Sequence, residues 1–279
     1  MEPLGRNVLF NFPDLNGRFR LRDAPLARAI AVVRYPLVAA FADIAGLREA
    51  QEVLSEAFPD LRESPATQFE VTFGPNQIAQ QQSSFKQWVF TGNDDEYEIL
   101  ITPGLMQISV PGANYEDRQQ FSEIFELALT ALSRSRVASI SGFTMRYVNA
   151  VLAEGDWEQH WNPQLLGWIA SPHIAAPQRS SMSQASLGGG IVTLENGTTV
   201  PTNAIVRHGL VGGLAPDLMR DALSKPSFIV DCEMSSANPL PLNAETLLAV
   251  FREYNHEMAH FLAFALTPVG RAHYGWEER

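Results

Sequence analysis

Gln87-Trp88-Val89-Phe90, Tyr97-Glu98-Ile99-Leu100-Ile101 and Leu105-Met106-Gln107-Ile108-Ser109-Val110 follow one another closely, each a brief apolar run of strand type. Thr91-Gly92-Asn93-Asp94 separates the first pair and Pro103-Gly104 the second, both with the chemistry of tight turns. Immediately beyond, Asn114 to Ser133 places Phe121, Ile124, Phe125, Ala128, Leu129 and Leu132 on one helical stripe. Consecutive hairpin-linked strands capped by a long amphipathic helix point to an α+β fold.

Working outward toward the start, Phe69 to Phe73 alternates apolar and polar residues as a half-solvated strand does. The glutamine- and serine-rich run Gln77 to Ser84 reads as a loop, Gly46 to Phe58 as a helix, and Ala29 to Arg34 as a strand. Residues 1–25, punctuated by Gly5, Pro13, Gly17 and Pro25, read as an irregular lead-in.

The same order recurs downstream. A long strand is expected over Val137 to Leu152 and a helix over Trp157 to Ile169. Strands follow at Met182 to Leu187, Ile191 to Leu194, Thr202 to Val211 and Pro226 to Glu233. Gly188-Gly189-Gly190 reads as a tight hairpin, and Glu195-Asn196-Gly197-Thr198 as another. A long helix, Ala244 to Leu266, is started by Asn243 and stopped near Pro268.

The expected architecture is two similar halves, 26–136 and 137–279, each strand, helix, four strands and long helix. Joined as one unit, they would make an antiparallel curved sheet covered by helices on one face. The saddle of TATA-box-binding proteins is the fold-level analogy.

Composition narrows the function classes. The chain has 279 residues, 46% of them hydrophobic, enough for a substantial core. No apolar run approaches the ~20 residues that span a bilayer, and Met1 to Phe12 lacks the pattern of a secretory signal. The single cysteine, Cys232, permits no internal disulfide, so a reducing, cytoplasmic setting is expected. A formal charge of −11 argues against a phosphate backbone as partner. Arg18, Arg20, Arg22, Arg28 and Arg34 are the exception, a cluster that reads either as a charged edge or as a docking patch.

The sharpest motif is His256-Glu257-Met258-Ala259-His260. Histidines four apart share a helical face and can hold zinc, with the glutamate acting on a metal-bound water. Yet the apolar stripe of this helix, through Leu247, Phe251, Tyr254, Met258 and Phe261, turns both histidines toward solvent. No third ligand stands at the usual spacing. The expectation is no metal, with His256 and His260 as zinc ligands and Glu257 as general base being the alternative.

Other histidines (His160, His173, His208) are scattered, and no G-x-S-x-G elbow is present. Trp157, Trp161 and Trp168 have rough helical spacing and read as core or as the lining of a small-ligand pocket. Asp231 and Glu233 alternate onto one face of a strand. Arg146 and Asn149 fall on opposite faces of theirs. A buried arginine needs a partner, and Asp231 is the candidate.

Several phrases occur in an order that resembles an uncharacterised, sporadically distributed bacterial family of about this length. They are Pro36-Leu37-Val38-Ala39-Ala40-Phe41 with Leu47 and Phe58-Pro59, Asn114-Tyr115 before Phe121, and Met145-Arg146-Tyr147-Val148-Asn149. Ile229-Val230-Asp231, Thr267-Pro268 and Tyr274-Gly275-Trp276 complete the set. The resemblance implies no catalytic residues. Its last helix often carries a histidine near the position of His256, without a regular second one at His260. It implies cargo of accessory, mobile or defence-related gene clusters. The expectation is therefore a non-enzymatic adaptor or sensor acting through a protein partner or a second copy of itself. Arg146, Asn149 and Asp231 are its candidate binding residues.

Overall fold

In the computed structural model, residues 9–10, 19–73, 78–92, 97–115, 117–135, 137–167, 169, 180–212 and 226–278 are described, with side chains left aside at 66–73 and 78–85. The strands are β1 (Phe19–Leu21), β2 (Leu26–Arg34), β3 (Asp60–Phe73), β4 (Ile78–Thr91), β5 (Glu98–Ile101), β6 (Leu105–Pro111), β7 (Ser139–Ile140), β8 (Gly142–Leu152), β9 (Ser181–Thr193), β10 (Thr199–Val211), β11 (Ser227–Ser236), β12 (Leu240–Pro241) and β13 (Trp276–Glu278). The helices are α1 (Arg48–Leu54), α2 (Arg118–Arg134), α3 (Pro163–Leu166), α4 (Ala244–Ala265) and α5 (Pro268–His273).

Nine strands form one antiparallel sheet in the order β3-β4-β5-β6-β2-β8-β11-β10-β9. The order is mirrored about the centre, with five strands from the first half and four from the second, because the two strands expected over 182–187 and 191–194 are one, β9. Each half puts its first long strand (β2 or β8) inside and its second (β3 or β9) at a margin. The halves meet where β2 pairs with β8, Ala29 opposite Tyr147, Ala31 opposite Met145 and Val33 opposite Phe143. The small side chains of β2 at this seam leave room for the large ones of β8.

All these inward residues face the helices. Asp117 starts α2 by accepting from the Gln119 and Gln120 N–H groups, and Asn243 starts α4 by accepting from Thr246 N–H. Each helix then buries its stripe: Phe121, Phe125, Leu129 and Leu132 on α2, and Leu247, Phe251, Tyr254, Met258 and Phe261 on α4. Phe251 packs 5.3 Å from Phe121 and 5.1 Å from Phe125, which lies 5.1 Å from Phe143 of β8. This aromatic layer fixes both helices on the seam. Truncating Phe251 to alanine would cost about 3–5 kcal/mol.

Several elements differ from expectation for local reasons. The segment from Trp157 is a 3₁₀ turn followed by the four-residue α3, because Asn162 and Pro163 restart the helix and Gly167, at φ 51°, ends it. Residues 78–84 are strand, not loop; a glutamine-rich run pairs as β4 with β3. Gly188–Gly190 do not turn a hairpin but lie within β9, which runs on to Thr193. Gly189 takes φ 77° there, and the pairing with β10 shifts by a residue between Thr202 and Ala204, the mark of a bulge. Pro268 does end α4, but as the first residue of α5, with Thr267 as its cap. The lead-in contains β1, paired with β13. Arg18, Asn93, Asp94, Trp168 and His173 lie outside the described residues.

Candidate functional site

The second face of the sheet carries no described helix. Along β8 it presents Thr144, Arg146 and Val148, and along β11 Ile229, Asp231, Glu233 and Ser235, since alternate residues share a face. Val148 and Ile229 make a small apolar cluster of their own, separate from the main core.

Four charged residues form a square on this face. Arg146 stands directly opposite Glu233, and Arg207 of β10 directly opposite Asp231. The shortest bonds run diagonally. Arg146 donates from Nε and Nη2 to the two carboxylate oxygens of Asp231, at 2.8 and 2.7 Å. Arg207 Nη1 donates to Asp231 at 3.0 Å and to Glu233 at 3.1 Å. Its Nε donates to Gln184 of β9 at 3.0 Å, so the row crosses four strands. Asp231 is 2% exposed, and two guanidinium groups supply the donors that its burial requires.

Burial disfavours the Arg146 cation. The bond to Asp231 and the charges of Asp231 and Glu233 outweigh it, raising the guanidinium above its ordinary value. The square is therefore two fixed cations around one buried carboxylate, Asp231, and one partly solvated carboxylate, Glu233. Such a group positions and recognises; Asp231 is taken up by guanidinium donors, while each guanidinium keeps N–H groups that these bonds do not use. Nearby on β2, Arg34 is exposed and donates one bond, from Nη1 to Thr144.

Asn149 lies on the opposite, core-facing side, 3% exposed, as the three-residue offset from Arg146 requires. Its amide nitrogen donates to the Val230 carbonyl at 3.3 Å, while Oδ1 has no partner among the described residues. Beside it, Tyr147 bonds the Tyr115 hydroxyl at 3.0 Å and accepts from Asn255 of α4. Burial pushes the Tyr147 hydroxyl well above its ordinary value. Arg146 and Asp231 thus meet, and Asn149 lies apart from them inside the core, bonded to the Val230 carbonyl.

The motif on α4 has its two rings 4.1 Å apart, with His256 exposed and Met258 buried between them in sequence. Among the described residues no group of three or more His, Cys, Asp or Glu side chains is placed to hold a metal. Cys232 is 2% exposed, and burial pushes its thiol far above the usual range. Trp157 and Trp161 pack on Phe228 at 4.9 and 5.4 Å, which makes them core. His160 and His273 stack at 4.1 Å where the 3₁₀ turn meets α5.

Arg207 and Gln184 have no sequence signal of their own. The place of Arg207 follows from a strand register across the long β10–β11 connection, and that of Gln184 from the bulged register of the β9–β10 hairpin, neither of which residue types encode. No described helix is long and apolar enough to cross a membrane. No family model matches the chain, and no curated protein matches it.

Proposed function

We propose that the protein is a non-enzymatic adaptor or sensor subunit, cytoplasmic, that binds a protein partner on the face of its sheet that carries no described helix. The observation that carries this reading is the charged square of Arg146, Asp231, Arg207 and Glu233. It holds two guanidinium groups rigid on that face, each with donors left over. With Arg34 beside it, the face offers arginine donors in a chain whose net charge is −11. A partner segment that brings carboxylates or carbonyl oxygens fits this surface. Asn149 supports the strand from behind and does not face the partner. The resemblance of the sequence to an accessory bacterial family agrees with an adaptor role in a defence or mobile gene cluster.

The test is photo-crosslinking in the native host from Gln107 and Asn203 on this face, with Glu123 of α2 as the control position. A single protein captured from both face positions, and lost on Arg34→Glu, supports the reading. Capture from Glu123 alone, or recovery of nucleic acid from the face positions, overturns it.

A further inference from the structure

The two margins of the sheet differ in chemistry. β3 carries Asp60, Arg62, Glu63 and Pro65, the charges and the proline by which edge strands resist pairing. β9 at the other margin reads Ser181-Met182-Ser183-Gln184-Ala185-Ser186-Leu187, then three glycines, Ile191, Val192 and Thr193. It has no charge and no proline. Residues 182–186 are exposed on both faces, Met182 at 52%. Among the described residues nothing hydrogen-bonds to its outer side. An open row of backbone donors and acceptors on an uncharged, exposed strand is a template for another strand.

The occupant follows from charge and from Gln184. Two copies of a chain of charge −11 repel each other, and an uncharged margin is where they approach at least cost. Gln184 sits at the middle of the exposed run and already accepts from Arg207 at 3.0 Å. Its oxygen has a second lone pair, and its amide nitrogen has two hydrogens to give. Two such amides across a two-fold axis satisfy each other reciprocally, which is the requirement of an isologous contact.

We infer that β9 pairs antiparallel with β9 of a second copy about a two-fold axis near Gln184, joining two nine-stranded sheets into one. The pairing covers residues 181–187. It stops at Gly189, where φ 77° breaks the regular strand. The arginine–aspartate row of each copy then runs to the axis and continues in the other. This inference does not rest on the partner proposed above, because it uses a margin and not the face.

The experiment is static light scattering across about a hundredfold range of protein concentration, on the full chain and on Ala185→Lys and Ser183→Lys. Both sites are exposed, so the lysines place like charges across the axis without touching the core. A dimer whose dissociation constant rises about tenfold or more in the lysine variants, with the far-ultraviolet circular dichroism unchanged, is the expected result. If one variant fails to fold, the other carries the comparison. Gln184→Cys gives an independent reading. Residues opposite each other in an antiparallel pair have Cα atoms ~4.5–5.5 Å apart, within disulfide reach. Mild oxidation should therefore link Gln184→Cys into dimers but not Glu123→Cys, while the native Cys232 stays buried. A monomer at every concentration overturns the inference. So does a dimer that ignores both lysines and forms no link through position 184, or an extended peptide of another protein found on β9.

Discussion

Arg146 stands opposite Glu233 in the β8–β11 ladder, yet its guanidinium reaches diagonally past it to grip both oxygens of Asp231. The choice has a physical reason. Asp231 is almost fully buried and needs donors, whereas Glu233 keeps about a fifth of its side chain in water.

That asymmetry predicts unequal effects. Asp231→Asn leaves two partly buried guanidinium groups around a neutral amide and should cost about 3 kcal/mol. Glu233→Gln removes a partly solvated charge and should cost less than about 1 kcal/mol. Urea unfolding of the two variants measures both. Equal losses would show that the square is not organised around Asp231.

Alkaline pH should unfold the protein early. Burial pushes the Tyr254 and Tyr274 hydroxyls up to about 12 and raises Tyr35, Tyr147 and the Cys232 thiol as well. In the unfolded chain these groups release protons near their ordinary values, at about pH 9–10. The folded state then holds more protons than the unfolded one, so stability is full below about pH 9 and falls as pH rises beyond it. The melting temperature followed from about pH 7 to 11 reports this. A flat profile would contradict the buried hydroxyls.

The stacked pair His160 and His273 gives a local titration. Partial burial, with the neighbouring His273 adding to it, lowers the His160 imidazole below its ordinary value, while Asp156 opposes them. A lowered histidine contributes stability that is present above its unfolded value and is lost as pH falls through the folded one. The expected NMR result is a His160 midpoint below that of a free histidine, moved back upward by His273→Gln. A midpoint indifferent to that substitution would separate the two rings.

Gly270 is needed for a close approach. A Cβ there would sit 2.1 Å from the His160 carbonyl oxygen, backbone that cannot step aside. Gly270→Ala should lower stability by about 2–3 kcal/mol through displacement of α5. Gly104→Ala, where nothing lies within 4 Å, should change it by less than about 0.5 kcal/mol. Thermal melts of the two variants decide it.

The α+β class, the two-part element order and the placement of both long helices were legible because their signals are local. Asn243 caps α4 as expected and apolar residues recur at helical period along both helices, while α2 starts at Arg118 after an Asp117 cap, four residues later than expected. The Arg146–Asp231 bond was legible for another reason: a buried arginine needs an acidic partner, and Asp231 alternates onto one face of a neighbouring strand of the same half. What was not legible depended on register and on glycine. Arg207 entered the row only through pairing across the long β10–β11 connection, and brought Gln184 with it as its partner in the β9–β10 hairpin. Gly188–Gly190 looked like a turn because glycine permits one; here the same freedom bends a continuous strand. The glutamines of β4 gave no apolar alternation, and pairing with β3 imposes extended structure that composition alone would not choose.

The seam between β2 and β8 has a consequence for birth as well as for architecture. A ribosome makes the first half before any of β8 exists, so β2 is paired on one side only, with β6, while synthesis continues. Its middle, Ala29-Ile30-Ala31-Val32-Val33, is among the most apolar strand segments in the chain. Until β8 emerges and takes its place, the nascent protein carries its stickiest edge in the open. Speed of elongation past residue 152, or a holdase waiting at that point, then governs how much of it folds and how much is lost to pairing with its neighbours.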